Sequence, residues 1–485
     1  MRESSLDDAT NCIRGALQAI VGEAHVLTQP EDVAGYLAEW TGQFGAPALA
    51  VVRPRTTEEV SQLVTLCNTH DIAVVPQGGR TGLCGGGVPV AGSSSVVVSL
   101  TRMNAVRSLD PDGRTVIVEA GVVLETLHEA ALRQNLIFPL MFGAKGSCTI
   151  GGNLSTNAGG SNVVRYGNTR ELCLGIEAVM PDGSVINALN GLRKDNTGYD
   201  LKDLLIGAEG TLGIITAAVF RLFPAPTARS TAFLSVRDLE AALIVLNRLQ
   251  DETGGGVEAF EYIPQQTMDV ICKAFPSIRR PLEGPVTVGV LVEVTSTRRT
   301  DAEASEQGGN RLEAQVQQML SELFEDGLVL DAMITQSEQQ RADLWHMRES
   351  VLEAITQAGP AYHLDISLPL NAIAHFVRTM DAEMARLGFL PLTVGHLGDG
   401  NLHYALSASE GQDWDALPLE TAKEEVFAHL KGVNGSFSAE HGIGQSKLTV
   451  MTKLKEPAQL SVMRAIKKAL DPASIMNPGK LLPPI

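Results

Sequence analysis

Two short stretches hold most of the side chains able to do chemistry here. The octapeptide His396-Leu397-Gly398-Asp399-Gly400-Asn401-Leu402-His403 begins His-Leu and ends Leu-His around Gly-Asp-Gly-Asn, a centre on which a chain reverses direction. It predicts a hairpin. If Leu397 faces Leu402, then His396 and His403 form the next cross-strand pair on the opposite face, with Cβ atoms roughly 5 Å apart. Two imidazoles that close can share a metal. Glu440-His441, within Ser-Ala-Glu-His-Gly-Ile-Gly, adds a carboxylate and a third imidazole from a loop whose glycines let backbone and ligand approach closely. Two His and one Glu with an open position make the ligand set of a catalytic divalent ion. The spacing is not the His-x-x-x-His of a zincin helix, so a protease loses its main support.

Two glycine-rich stretches point to a second kind of ligand. Pro76-Gln77-Gly78-Gly79-Arg80-Thr81-Gly82-Leu83-Cys84-Gly85-Gly86-Gly87 has six glycines in twelve residues directly after a predicted strand. Gly146-Ser147-Cys148-Thr149-Ile150-Gly151-Gly152-Asn153 continues to Thr156-Asn157-Ala158-Gly159-Gly160. Without Cβ atoms, consecutive backbone N–H groups can turn inward into a concave nest that binds pyrophosphate. Neither stretch is a common nucleotide motif. No GxxxxGK[ST] occurs, and the match to GxGxxA at Gly254-Gly255-Gly256-Val257-Glu258-Ala259 follows a predicted helix rather than a strand, so a P-loop and a dinucleotide fingerprint are both excluded.

The elements that must position these residues fit a large globular chain. Its 485 residues suffice for two or three domains, and 44% of them are apolar. A net charge of −18 argues against nucleic acid or an anionic membrane surface as the main partner. Six cysteines (Cys12, Cys67, Cys84, Cys148, Cys173, Cys272) show no Cys-x-x-Cys spacing and read as reduced thiols. No apolar run reaches transmembrane length and the first residues are polar and acidic, so a cytoplasmic location is expected.

Residues 1–45 read as a helical lead-in. Strands are expected at Ala48–Arg53, Ile72–Pro76, Val96–Leu100 and Val116–Ala120, with a capping box at Thr56-x-x-Glu59, a helix over Leu124–Gln134 and a Pro-Asp-Gly hairpin at Val179–Val185. From about Thr231 longer helices are expected at Leu239–Gln250, Ala302–Leu323, Glu338–Thr356 and Ala372–Arg386, interleaved with strands such as Val286–Val294. This second half predicts an antiparallel sheet with helices on one face. A last helix is expected near Pro457–Leu470.

Six blocks, PQGGRTGLCGGGVP, GGNLSTNAGGSNVVRYGNTR, RKDNTGYDLKDLLIGAEGTLGIIT, GHLGDGNLHY, SAEHGIGQSK and NPGKLL, occur in that order. They resemble the FAD-binding oxidoreductases of the vanillyl-alcohol oxidase type, in the D-2-hydroxyacid dehydrogenase branch that includes D-lactate and D-2-hydroxyglutarate dehydrogenases. The likeness runs from about residue 45 to residue 485.

The resemblance implies an α+β fold: a PCMH-type FAD-binding domain of two α+β subdomains (46–228), a substrate or cap domain carrying the metal site on an antiparallel sheet covered by helices (229–450), and a C-terminal segment returning to the FAD domain (451–485). It implies FAD held by Pro76, Gln77, Gly78, Gly79, Arg80, Thr81, Gly82 and Leu83, by Gly146, Ser147, Gly151, Gly152 and Asn153, and by Thr156, Asn157, Gly159, Gly160, Tyr166 and Gly167. Glu209, Gly210, Gly213, Ile214 and Ile215 would line the flavin side, with Asn477 closing over it. The first loop has no His to tether the cofactor, so FAD is expected to be non-covalent.

By the same likeness His396, His403 and Glu440 bind zinc or manganese, Asn401 and His441 contact substrate, and Arg348 binds its carboxylate, which suits a guanidinium fork. His441 is the expected general base. In the hydroxyglutarate enzymes a Thr and a Lys, four and fifteen residues after that Arg, also hold substrate; here those places are Leu352 and His363. A lost Lys weakens the case for a second carboxylate unless protonated His363 replaces it. The reaction implied is oxidation of a D-2-hydroxy acid with hydride passing to flavin N5. Electron-transfer flavoprotein, a quinone or a cytochrome would reoxidise the flavin. A homodimer and peripheral membrane association are compatible with the sequence. The alternatives are a flavin oxidase using oxygen on a similar acid, and a metal-dependent hydrolase without flavin.

Overall fold

A computed structural model describes residues 2–39, 41–306 and 308–484. The chain forms two compact units: Met1–Gly159, Asn168–Phe223 and Glu440–Ile485 make the first, and Gly160–Gly167 with Pro224–Ala439 make the second.

The two larger sheets of the first unit have four and five strands. In one, β1 (Val26–Leu27), β2 (Ala50–Val52), β3 (Ala73–Gln77) and β4 (Ser95–Ser99) run in the order β1-β2-β4-β3, with β2, β4 and β3 parallel. Their all-apolar reading (Ala50-Val51-Val52, Val96-Val97-Val98) is that of strands buried on both faces. In the other, β5 (Val106–Asp110), β6 (Thr115–Glu119), β7 (Cys173–Val179), β8 (Val185–Asn187) and β9 (Ile214–Arg221) are antiparallel in the order β5-β6-β9-β7-β8.

Helices α1 (Arg2–Val21), α2 (Pro30–Leu37), α3 (Thr57–Thr69), α4 (Leu124–Leu132) and α5 (Ile150–Thr156) belong to this unit. Thr56 caps α3 by accepting from the Glu59 N–H, whereas Glu59 reaches back to the Arg55 N–H instead of closing the expected box on Thr56. Burial pushes the Cys67 and Cys173 thiols up to about 12, so both are inert protonated core groups.

The second unit is one seven-stranded antiparallel sheet. Its strands are β10 (Ala228–Val236), β11 (Val257–Tyr262), β12 (Val288–Ser296), β13 (Val329–Ile334), β14 (Ala361–Ser367), β15 (Phe389–His396) and β16 (Asn401–Ala408), in the order β13-β10-β12-β11-β15-β16-β14. Helices cover both faces, not one. Leu234, Tyr262, Val292, Leu402 and Tyr404 pack on α6 (Leu239–Thr253), α8 (Arg311–Glu325), α11 (Ile373–Arg386) and α12 (Leu419–Gly432). From the alternate positions, Phe233, Leu291, Leu392, Val394 and Ala405 pack on α7 (Gln265–Ala274), α9 (Glu338–Glu349) and α10 (Val351–Ala358). Strands covered on both faces read as near-continuous apolar runs, so the order of helices and strands along the chain does not reveal whether one face or both are covered.

Two expected helices are also shorter. The segment before α8 forms a 3₁₀ turn at Arg299–Ala302, and α8 starts at an Asn310 capping box with Glu313. The Glu338–Thr356 stretch breaks at Ser350, whose hydroxyl donates to the His346 carbonyl and competes with the helical ladder.

Candidate active site

In the first unit the two glycine stretches pack against each other. A Cβ on Gly78 would meet Thr149 Oγ1, and one on Gly79 would overlap the Ser147 carbonyl and Cys148 Cα. Only glycine allows this approach. A cavity of about 500 Å³ lies beside them, lined by Gly78, Gly79, Ser147 and Thr149 and floored by Gly121. Gln77 closes the first stretch into a loop, its Nε2 donating to the Tyr36 and Gly87 carbonyls at 2.8 and 2.7 Å. Arg80, at φ +61°, turns its guanidinium to the Gly35 carbonyl and the Tyr36 ring.

Three segments distant in sequence meet at Asn477. Its Nδ2 donates to the Gly86 and Glu209 carbonyls at 3.0 and 2.7 Å. The Glu209 carboxylate accepts from the Ile443 and Gly444 N–H groups at 2.8 and 2.7 Å and so holds the loop after Glu440-His441. Burial pushes its carboxyl above the usual range despite those two donors. Gly159 leaves room for the Glu440 carboxylate, which a Cβ there would strike.

The buried atoms Thr149 Oγ1, Asn477 Oδ1 and Lys480 Nζ have no hydrogen-bond partner among the described residues. Such groups are costly unless a ligand satisfies them. A glycine-lined cavity with the orphaned Thr149 hydroxyl among its lining residues fits a pyrophosphate-bearing cofactor. Ile214 packs in the hydrophobic core with Val179 and Met476, and the Tyr166 hydroxyl, in the second unit, donates to Glu258 at 2.6 Å.

In the second unit the hairpin forms, with each residue facing a partner two positions from the expected one. His396 opposes Asn401 and His403 opposes Val394, so the two histidines are diagonal neighbours on the same face, with ring centroids 5.5 Å apart. The shift comes from the loop. The Gly400 N–H donates to the His396 carbonyl, Gly400 takes φ +87°, and the Asp399 carboxylate accepts from the Asn401 N–H, so the four-residue loop is Leu397–Gly400 rather than Gly398–Asn401.

Two carboxylates that sequence reasoning missed organise this face. Glu261, on β11 opposite His396, is 0% exposed; its Oε1 lies 2.7 Å from His396 Nδ1 and its Oε2 accepts from Arg348 Nε at 2.7 Å. Burial opposes its ionisation, but His396 and Arg348 hold its carboxyl below the usual carboxylate range. Asp365, on β14 opposite His403, lies 3.7 Å from His403 Nδ1 and accepts from Asn401 Nδ2 and the Ala439 N–H, each at 3.1 Å.

Both acids lie on buried, largely apolar strands, VEAFEY and AYHLDIS, the first also carrying Glu258. That was the available signal: an acid in a buried strand needs a partner. Asn401 Oδ1 is buried with no partner among the described residues. His363 is exposed on β14, on the same face as Asp365 and one pleat, about 7 Å, further along the strand. Glu440 and His441 begin the return of the chain to the first unit, directly after Ala439 is fastened to Asp365.

With Nδ1 of His396 committed to Glu261, a metal would be taken through Nε2, the arrangement in which a carboxylate orients a ligating imidazole. The donor set on this face therefore fits a divalent ion.

The chain matches the family described as FAD linked oxidases, C-terminal domain, over residues 225–481, and FAD binding domain over residues 48–189. It is 37% identical to the mitochondrial D-2-hydroxyglutarate dehydrogenase of Arabidopsis thaliana over 464 residues, 96% of this chain and 80% of that one. It is 35% identical to the D-2-hydroxyglutarate dehydrogenase of Stutzerimonas stutzeri (strain A1501) over 469 residues, 96% and 97% of the two chains. Among solved structures it superposes on p-cresol methylhydroxylase with a TM-score of 0.73, at 16% identity, covering 98% of this chain and 97% of the other. That likeness carries the PCMH-type fold alone. A cavity built by two glycine stretches and these family matches lead to one conclusion: the chain belongs to the FAD-linked oxidases and is an FAD-dependent oxidoreductase.

Proposed function

We propose that this chain is a metal-assisted D-2-hydroxy acid dehydrogenase whose leading substrate is D-2-hydroxyglutarate. The observation that carries the reading is the polar face of the seven-stranded sheet, where His396, His403 and Asn401 stand together and Glu261 ties His396 to Arg348. The sequence likeness to D-2-hydroxyglutarate dehydrogenases supports the substrate class. His396, His403 and Glu440 would hold the ion. When bound, FAD supplies a two-electron acceptor and the metal a Lewis acid for the substrate oxygens.

The side chains do the rest. Arg348 keeps both terminal guanidinium nitrogens without a partner among the described residues, leaving a fork for the substrate 1-carboxylate. Asn401 Oδ1 accepts from the hydroxyl before it ionises. His441 takes the hydroxyl proton, a role worth on the order of 10²- to 10⁴-fold in rate, as the α-hydrogen leaves with its electron pair and the carbon becomes a ketone. His363, when protonated, would meet the second carboxylate.

The test is anaerobic bleaching of the flavin in the purified holoprotein. D-2-hydroxyglutarate should bleach it and the L-enantiomer should not; chelation should slow bleaching, and zinc or manganese should restore it. His363→Ala should raise KM for D-2-hydroxyglutarate roughly tenfold or more, the size of a charge-assisted hydrogen bond, and leave D-lactate unaffected. If no D-2-hydroxy acid reduces the flavin, or the full rate survives chelation, the reading is wrong.

A further inference from the structure

We propose that Glu261 is a positioning residue that couples the metal centre to the substrate-binding arginine, so that neither can be optimally placed without the other. The inference rests on the function just proposed and goes beyond it in assigning a role to a residue outside the reacting groups. One carboxylate oxygen serves each partner: Oε1 takes His396 Nδ1 and Oε2 takes Arg348 Nε, both at 2.7 Å. The Glu261 side chain is 0% exposed and that of Arg348 only 13%, so water cannot substitute for either contact. A buried carboxylate needs a compensating charge, and Arg348 is the formal cation that provides it.

Two consequences follow from the atoms. An ionised carboxylate accepts only, so His396 must present Nδ1–H to it and keep its lone pair on Nε2 for a metal. The same carboxylate fixes Arg348 through Nε, the nitrogen on the edge of the guanidinium plane, which aims the two terminal NH₂ groups toward a ligand carboxylate. Arg348 sits one residue before Glu349, where α9 ends at Ser350. Glu261 thus links a strand ligand to the end of a helix.

Glu261→Gln separates these effects from simple packing. A glutamine of nearly the same shape can accept from Arg348 with its oxygen, but then offers N–H to His396 Nδ1, which forces the proton onto Nε2 and removes the lone pair the metal needs. In the holoprotein, zinc affinity by competition with a chromogenic chelator should fall roughly 10- to 100-fold, the usual cost of losing an outer-shell partner. Affinity for 2-oxoglutarate, read in metal-stripped protein from the shift in flavin absorbance, should fall at least about tenfold, because one hydrogen bond to neutral amide replaces an ion pair. Flavin content and far-ultraviolet circular dichroism should be unchanged.

Glu261→Asp keeps the charge and folds, but is one methylene too short to reach both partners; it should lower both affinities by less than Gln does. Loss of only one affinity in Gln, or wild-type values for both in Asp, overturns the coupling. His403→Ala is the control for the underlying reading: if it binds zinc as well as wild type, the metal site itself is misplaced. If His403→Ala loses zinc and Glu261→Gln keeps it, only the present inference fails.

Discussion

At the residue scale the buried ionisable groups distinguish ligand contacts from packing. Lys480 is 3% exposed, its ammonium has no hydrogen-bond partner among the described residues, and burial lowers its pKa from 10.5 to about 8. A lowered folded-state pKa means that between about pH 8 and 10.5 the unfolded chain binds more protons than the folded one, so this group's contribution to stability rises with pH through that window. Below pH 8 the full cost of the buried charge is present. Lys480→Met should therefore stabilise FAD-free protein at pH 7 by up to about 3 kcal/mol, at 1.36 kcal/mol per pKa unit. In urea denaturation the gap between variant and wild type should close as pH approaches 10.5. A gap that stays constant with pH would show the ammonium to be solvated.

At the element scale what matters is how closely two backbones can pass. The Pro76–Gly87 loop and the Gly146–Asn153 segment meet at Gly79, where an added Cβ would fall on the Ser147 carbonyl and Cys148 Cα, both backbone and unable to rotate away. Gly79→Ala must push the two segments apart, at a cost of about 1 to 3 kcal/mol for forced overpacking. FAD occupancy, read as the ratio of flavin to protein absorbance, should drop, while zinc affinity stays at the wild-type value because the hairpin with the proposed ligands His396 and His403 lies in the other unit. Wild-type flavin content in this variant would mean that the loops do not cradle the cofactor. The hairpin shows the same dependence on backbone. Its four-residue loop sets the register, and the register sets which side chains share a face.

At the scale of the whole molecule the chain crosses between its two units more than once, since Gly160–Gly167 and Pro224–Ala439 are enclosed by segments of the first. Each unit has its own hydrophobic core: Val60, Leu63, Val74 and Val98 in one, and Leu234, Val292, Phe376 and Tyr404 in the other. Calorimetry of FAD-free protein should therefore resolve two transitions, and FAD in excess should raise one of them by mass action, by about 2.7 kcal/mol at a hundred times Kd. A single transition moved as a whole would show the two cores to be energetically one. No helix among the described residues is long and apolar enough to cross a membrane.

The ordered glycine blocks, the His-Leu…Leu-His hairpin, the Glu-His loop and the family likeness were all legible in the sequence, because each is a contiguous run whose chemistry is local. Helix starts at Thr56 and Pro457 were legible for the same reason. The diagonal placement of His396 and His403 was not, since side-chain register depends on which four residues form the loop. Nor were Glu261 and Asp365: Glu261 lies 135 residues from His396 and 87 from Arg348 in sequence. Only the pairing of β11 with β15 brings that carboxylate to the imidazole. Composition and motif name the groups capable of chemistry; strand pairing across long separations decides which charge is buried beside which, because a buried carboxylate is tolerated only where the fold delivers its partners.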